Sequence, residues 1–182
     1  MSSIRACELP AGALLGEYKE AGAYTDCYVA EVARQVSQAE YVEAFYTTAV
    51  FKLERLLLGW LVSRPSTDTQ AQDLASGNVR SFAAWNVEGQ SDDQLLLSDF
   101  QGRTRSWLMS APVLTGDSAS TCLYFGSAVV TFARPPSGRA PMSFAFRVLL
   151  GFHKVYSRVL LRAAIARLAR TGRHVGGNVD SG

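Results

Sequence analysis

The chain has 182 residues, 48% of them hydrophobic and 19% charged, with a formal net charge of +2. That length suits one domain, and that apolar share supplies a core and excludes a disordered polypeptide. The mild charge excludes the strong basic imbalance of a dedicated nucleic-acid binder. The longest strongly apolar run, Leu56 to Val62, is too short to cross a bilayer.

Elements follow in chain order. Within residues 1–20, Leu14, Leu15 and Tyr18 give one apolar edge after Pro10, predicting a short helix that Gly22 ends. Ala23 to Val32 is rich in aromatic and β-branched residues and predicts a strand. Ser37-Gln-Ala-Glu40 has capping-box spacing and opens a helix that buries Tyr41, Val42 and Phe45. Thr47 and Thr48 mark a break, because both can bond locally to the backbone. A second helix is predicted from about Ala49 to Val62, apolar around most of its circumference and stopped by Pro65. A third, Asp68 to Ala75, takes Ser66 or Thr67 as its cap and Gly77 as its end.

The pattern then turns to strands. Arg80–Glu88, Gln94–Asp99, Arg103–Pro112 and Thr121–Phe132 are predicted strands, with Gly89–Asp93 a turn, Phe100–Gly102 a tight connection and Val113–Ser120 a loop. Short strands with short links make an antiparallel meander. Arg134 to Pro141 reads as a linker. From there to Arg170 one long helix is expected, with Met142, Phe146, Leu149, His153, Tyr156, Leu160 and Ala164 stepping along one face. Arg147, Lys154, Arg158 and Arg162 occupy the other side. The expected whole is α+β: a curved antiparallel sheet packed on a long C-terminal helix, with two or three helices inserted after the first strand. Residues 1–170 form one domain and residues 171–182 a disordered tail.

The start of the sequence lacks a basic segment followed by an apolar one, so no secretory signal and a cytoplasmic location are expected. Cys7, Cys27 and Cys122 are odd in number and not in CxxC spacing, so no disulfide framework is expected; Cys27 and Cys122 read as small buried apolar side chains. No nucleophile-elbow, P-loop, dinucleotide-binding or zincin motif occurs. With His153 and His174 the only histidines and no Cys/His cluster, neither a metal site nor a cofactor is expected.

The order strand, helices, meander, long helix resembles the helix-grip fold of the START-like, or SRPBCC, superfamily. The hairpin Leu95-Leu-Leu-Ser-Asp-Phe-Gln-Gly-Arg-Thr-Arg-Ser-Trp-Leu108 and the helix Phe152-His-Lys-Val-Tyr-Ser-Arg-Val-Leu-Leu161 are similar to segments of an uncharacterised bacterial branch of it, the DUF2867 family. About five strands are counted here where the superfamily has six or seven, and the segment after Phe125-Gly126-Ser127 lacks its Tyr-Trp pair. The resemblance implies a cavity between sheet and helix for an apolar or amphipathic small molecule. Some members are enzymes such as polyketide cyclases, and others bind or transfer lipids.

Candidate ligand-binding residues are His153, Tyr156, Leu149, Trp85, Trp107, Tyr124, Asp26 and Arg105. His153 interrupts the helix stripe and reads either as a hydrogen-bonding group or base in a cavity, or as a core histidine bonded to the backbone. Trp85, Trp107 and Tyr124 line a pocket or stand on the outer sheet face, depending on register. Asp26, between Tyr24 and Tyr28, is an acid-base candidate or a paired surface carboxylate. Arg105 clamps a ligand carboxylate or pairs with Asp99. Three function classes stay open: a small-molecule binder, a cyclase or dehydratase using the same cavity, and an interaction module working through the basic helix flank against an acidic partner or an anionic membrane surface.

Overall fold

The computed structural model describes residues 3–52, 67–115, 118–130 and 144–175, and in the last helix the side chains of residues 155–171. The elements are β1 (Arg5–Ala6), α1 (Gly16–Glu20), β2 (Tyr24–Val32), α2 (Gln38–Tyr46), α3 (Asp68–Ala75), β3 (Ser81–Phe82), β4 (Trp85–Gln90), β5 (Gln94–Asp99), β6 (Thr104–Thr115), β7 (Ser118–Val129) and α4 (Phe144–Val175). Residues 49–52 add a helical turn. The predicted continuation to Val62, and the 134–141 linker, lie outside the described residues.

All the described strands belong to one antiparallel sheet of order β1-β2-β7-β6-β5-β4-β3. The meander β3 to β7 is laid down in sequence, and β7 then pairs along the whole of β2, from Tyr24↔Val129 to Val32↔Thr121. The chain is thus α+β in the helix-grip manner, with α2 and the C-terminal α4 packed on one sheet face.

Why α4 lies down is visible in its buried residues. Ser157, Leu160, Leu161, Ala164 and Leu168 recur at helical spacing and are all enclosed. Each buried leucine contributes about 2 kcal/mol of transfer free energy. Against them stand Tyr28, Ala30, Leu95, Leu97, Leu108, Leu123 and Phe125 from the sheet, with Tyr41, Phe45 and Tyr46 from α2.

Local chemistry departs from expectation at several points. Ser37 caps α2 by accepting from the Glu40 N–H at 3.2 Å, but Glu40 does not complete the box. Its carboxylate turns to the Arg34 guanidinium, at 2.7 and 3.1 Å, where a charged donor outcompetes a backbone N–H. The complete capping box is at α3, where Thr67 and Gln70 satisfy each other's backbone. The predicted strand over 80–88 is split, with Phe82 facing Trp85 across a two-residue turn in which Ala83 has φ +53°. The predicted loop over 113–120 is strand nearly throughout, paired from Val113↔Ser120 to Thr115↔Ser118. Helix α4 runs five residues beyond Arg170, to Val175. The extra strands over the five counted from sequence are the two-residue edges β1 and β3.

The second sheet face is also covered. Residues 7–21, including α1, cross it as a strap. Ala13 and Leu15 pack with Cys27, Leu96, Trp107 and Ala128, flanked by Leu14, Tyr18, Met109 and Tyr124. Gly126 permits this approach: a Cβ there would lie 2.9 Å from both Leu15 Cδ2 and the Trp107 ring. Gln94, itself buried, pins the strap. Its carbonyl accepts from the Leu14 N–H (2.8 Å) and the Trp107 indole (2.9 Å), and its amide donates to Gly12 O (3.1 Å).

Candidate functional site

A cavity of about 220 Å³ lies between the sheet and α4. Its walls are Phe45 and Phe51 from the α2 side, Trp85 from β4, residues 104–106 from β6, Phe125 and Ser127 from β7, and Tyr156 and Leu160 from α4.

The space has a cause in the sequence. Ser106 and Ser127 are direct partners across β6 and β7. On the same face, two residues along each strand, stand Leu108 and Phe125. Where two central strands both carry serine, the inward layer is short by several carbons, and the large rings around it do not close the gap. The rings hold one another rigidly. Tyr46 meets Phe45, Phe51 and Phe82 edge-on, at centroid separations of 5.1, 4.8 and 5.5 Å.

Among the described wall residues, Thr104, Ser106, Ser127 and Tyr156 carry hydroxyls. Ser127 donates to Asp26 Oδ1 at 2.5 Å. Ser106 Oγ lies 3.4 Å from the Tyr46 hydroxyl. Among the described residues, the buried indole N–H of Trp85 has no acceptor, although Trp85 forms part of the wall. Burial and the neighbouring Asp26 carboxylate push the Tyr24 hydroxyl up to about 12. Burial likewise raises Tyr28, with Arg158 opposing it from a position 5.3 Å over the Tyr28 ring. Tyr41, fully enclosed beside the cavity rings, is held well above its ordinary value by burial and donates to Tyr124 O at 3.1 Å.

Of the residues singled out from sequence, Trp85 and Tyr156 come together here, and Asp26 adjoins them through Ser127. Leu149 and His153 lie in α4, but their side chains are outside the described residues. Trp107 and Tyr124 stand on the opposite sheet face, under the strap, with rings 6.3 Å apart. Arg105 contributes to the cavity wall between Thr104 and Ser106, but its guanidinium is engaged on the strap side. Its Nε donates to the Tyr18 hydroxyl (2.8 Å) and pairs with Glu88 (2.8 Å), and the group lies 4.6 Å over the Tyr18 ring. Tyr18 in turn donates to Glu88. The expected pairing of Arg105 with Asp99 gives way, because the Asp99 carboxylate accepts instead from the backbone N–H groups of Arg103 and Thr104 in the turn. Phe45, Phe51, Thr104, Ser106, Phe125, Ser127 and Leu160 are the wall residues that sequence reading did not assign to a site.

No group of three or more His, Cys, Asp or Glu able to hold a metal occurs among the described residues. No described helix is long and apolar enough to cross a membrane. No family model matches the chain, and no curated protein and no solved structure matches it.

Proposed function

We propose that the protein binds a compact apolar or amphipathic molecule, with a ring and one hydrogen-bond acceptor, in the cavity between sheet and C-terminal helix. The supporting observation is an apolar, aromatic-walled space that includes a tryptophan whose buried N–H has no acceptor among the described residues. Buried donors are ordinarily satisfied, and an orphan costs about 1–3 kcal/mol. Trp85 Nε1 is itself enclosed, so a ligand oxygen would recover that cost once a small turn of the ring opened the N–H to the cavity. Size narrows the class further. A dry apolar cavity of ~150 Å³ accepts benzene, so 220 Å³ suits a substituted single ring.

The test compares acetophenone with cumene, which share one heavy-atom skeleton but differ in the acceptor. Calorimetric titration of the wild type and Trp85→Phe gives a double-mutant cycle. The substitution should weaken acetophenone by about threefold to tenfold, the worth of one hydrogen bond, and cumene by less than about twofold. Binding of neither compound would remove the proposal.

A catalytic use of the same cavity is a second reading, favoured by the Ser127–Asp26 pair at its wall. There a carboxylate in contact with a cavity hydroxyl could take a proton from bound substrate. Asp26→Asn would then abolish turnover of a cyclisable or dehydratable substrate while leaving acetophenone affinity within about twofold.

A further inference from the structure

The pairing of β1 with β2 places Arg5 opposite Val29 and Ala6 opposite Tyr28. Continued by one residue, the same register sets Cys7 opposite Cys27. The Cys7 N–H donates to Cys27 O at 3.0 Å, so the ladder does extend this far. Directly opposed residues on antiparallel strands have Cα atoms about 4.5–5.5 Å apart, inside the 4.4–6.8 Å range of disulfides. The two sulfurs are 3.4 Å apart, and both are free thiols. Rotation about the two Cα–Cβ bonds is the adjustment needed to bring them to bonding distance.

We infer that Cys7 and Cys27 form a disulfide-forming modification site, oxidised by a low-molecular-weight disulfide, that fastens the N-terminal strap to the sheet.

The two thiols differ in the way such a reaction needs. Cys7 is half-buried at the strap's edge and can meet a small oxidant, whereas Cys27 is enclosed. Burial pushes the Cys27 thiol well up, so it is a poor thiolate for a first attack from solution. Cys7 thiolate therefore attacks one sulfur of the oxidant RSSR, forming a Cys7–S–S–R bond and releasing RS⁻. Cys27, held against that sulfur, then displaces the second RS⁻ as it loses its proton. The two protons lost by the cysteines reside on two RSH. The protein loses two electrons and the oxidant gains them. Cys122 is the internal control. It lies on the same face but four residues along β7 from Gly126, which faces Cys27, hence about 13 Å away along the strand.

The bond would close a loop over residues 8–26, which contains the whole strap. The strap's hold on the outer face would then no longer depend on Leu15, Gln94 and Tyr18 alone. Nothing in this site touches the cavity on the other side of the sheet, so it stands independently of the ligand proposal.

The experiment is oxidation of the wild-type chain with excess oxidised glutathione, followed by non-reducing tryptic mapping. Cleavage at Lys19 separates the two cysteines into peptides Ala6–Lys19 and Glu20–Arg34, with Cys122 in Ser106–Arg139, since the Arg134–Pro135 bond resists trypsin. The expected result is one cross-link joining the first two peptides, loss of two of three titratable thiols, and a melting temperature higher by about 5–10 °C that dithiothreitol reverses. Cys122→Ser should behave as wild type, and Cys7→Ser should keep its thiols and show no shift. Three thiols persisting, a glutathione adduct resting on Cys7, or a link through Cys122 would each overturn the inference.

Discussion

Gly126→Ala is the substitution whose cost can be worked most directly from the strap's seat. The added methyl would stand 2.9 Å from Leu15 Cδ2, 2.9 Å from the Trp107 ring and 3.1 Å from Asp26 O. Two of these partners cannot yield cheaply, since Trp107 is wholly buried and Asp26 O is backbone of a central strand. Overpacking of this kind costs about 1–3 kcal/mol. Against it stands the gain from restricting the unfolded chain, about 0.4–1 kcal/mol. The net expectation is destabilisation by about 1–2 kcal/mol. Urea unfolding measures it, and hydrogen exchange should show faster opening of amides in residues 7–21 with β5 and β6 unchanged. Leu15→Ala alone should cost about 2–5 kcal/mol, as a fully buried leucine does. In that background one of the three clashes is gone, so the penalty of Gly126→Ala should shrink by about 0.5–1 kcal/mol without vanishing. A Gly126→Ala protein as stable as wild type, or a penalty unchanged by removing Leu15, would refute the claim that the strap rests on this glycine.

Gln94→Ala should cost about 2–4 kcal/mol by urea melt, since it leaves the Trp107 indole and the Leu14 N–H buried without their acceptor; a change below about 0.5 kcal/mol would show the pin to be dispensable. Alkaline stability carries a definite sign. Tyr18, Tyr24, Tyr28, Tyr41 and Tyr124 all have folded values raised above 10, so the folded state holds more protons than the unfolded one above that pH. Their contribution is complete below about pH 10 and is lost as pH rises, for Tyr24 through about 12. Absorbance at the tyrosinate band should therefore show less ionisation at pH 10.5 in the folded protein than in urea, and equal ionisation would contradict the burial described.

Much of the sheet was legible because alternation and turn residues agree locally. Gln94–Asp99 is predicted to the residue, and the order of strands and helices along the chain led to the observed layering of an antiparallel sheet against the C-terminal helix. The faces were not legible, because the central strands are buried on both sides. Trp107 and Leu108 are adjacent and both fully enclosed, so no polar residue reveals which of them points at α4. The break at Ala83 carries no signal either, since alanine is not a residue that marks positive φ. Gly89 read as part of a turn but sits in a strand. A bulge between Val87 and Gly89 puts it under Leu14, a contact 75 residues distant in sequence that no local pattern records. The strap failed for the same reason, because Gln94, Arg105 and Gly126 hold it from far along the chain. The cavity did leave a trace, the mid-strand serines Ser106 and Ser127. It acquires meaning only once the register shows that they face each other.

The central claim is that a small ligand seats against Trp85 on the helix side of the sheet. Its most direct test follows the three tryptophan indole N–H signals by two-dimensional nuclear magnetic resonance during titration with acetophenone, with Trp85→Phe and Trp60→Phe giving the assignments. The account predicts that the Trp85 signal shifts as its proton gains an acceptor, while that of Trp107, already bonded to Gln94 beneath the strap, stays in place. A Trp107 signal that moves while Trp85 stays fixed would place binding on the wrong face, and two stationary signals at saturating ligand would leave the cavity without an occupant of this kind.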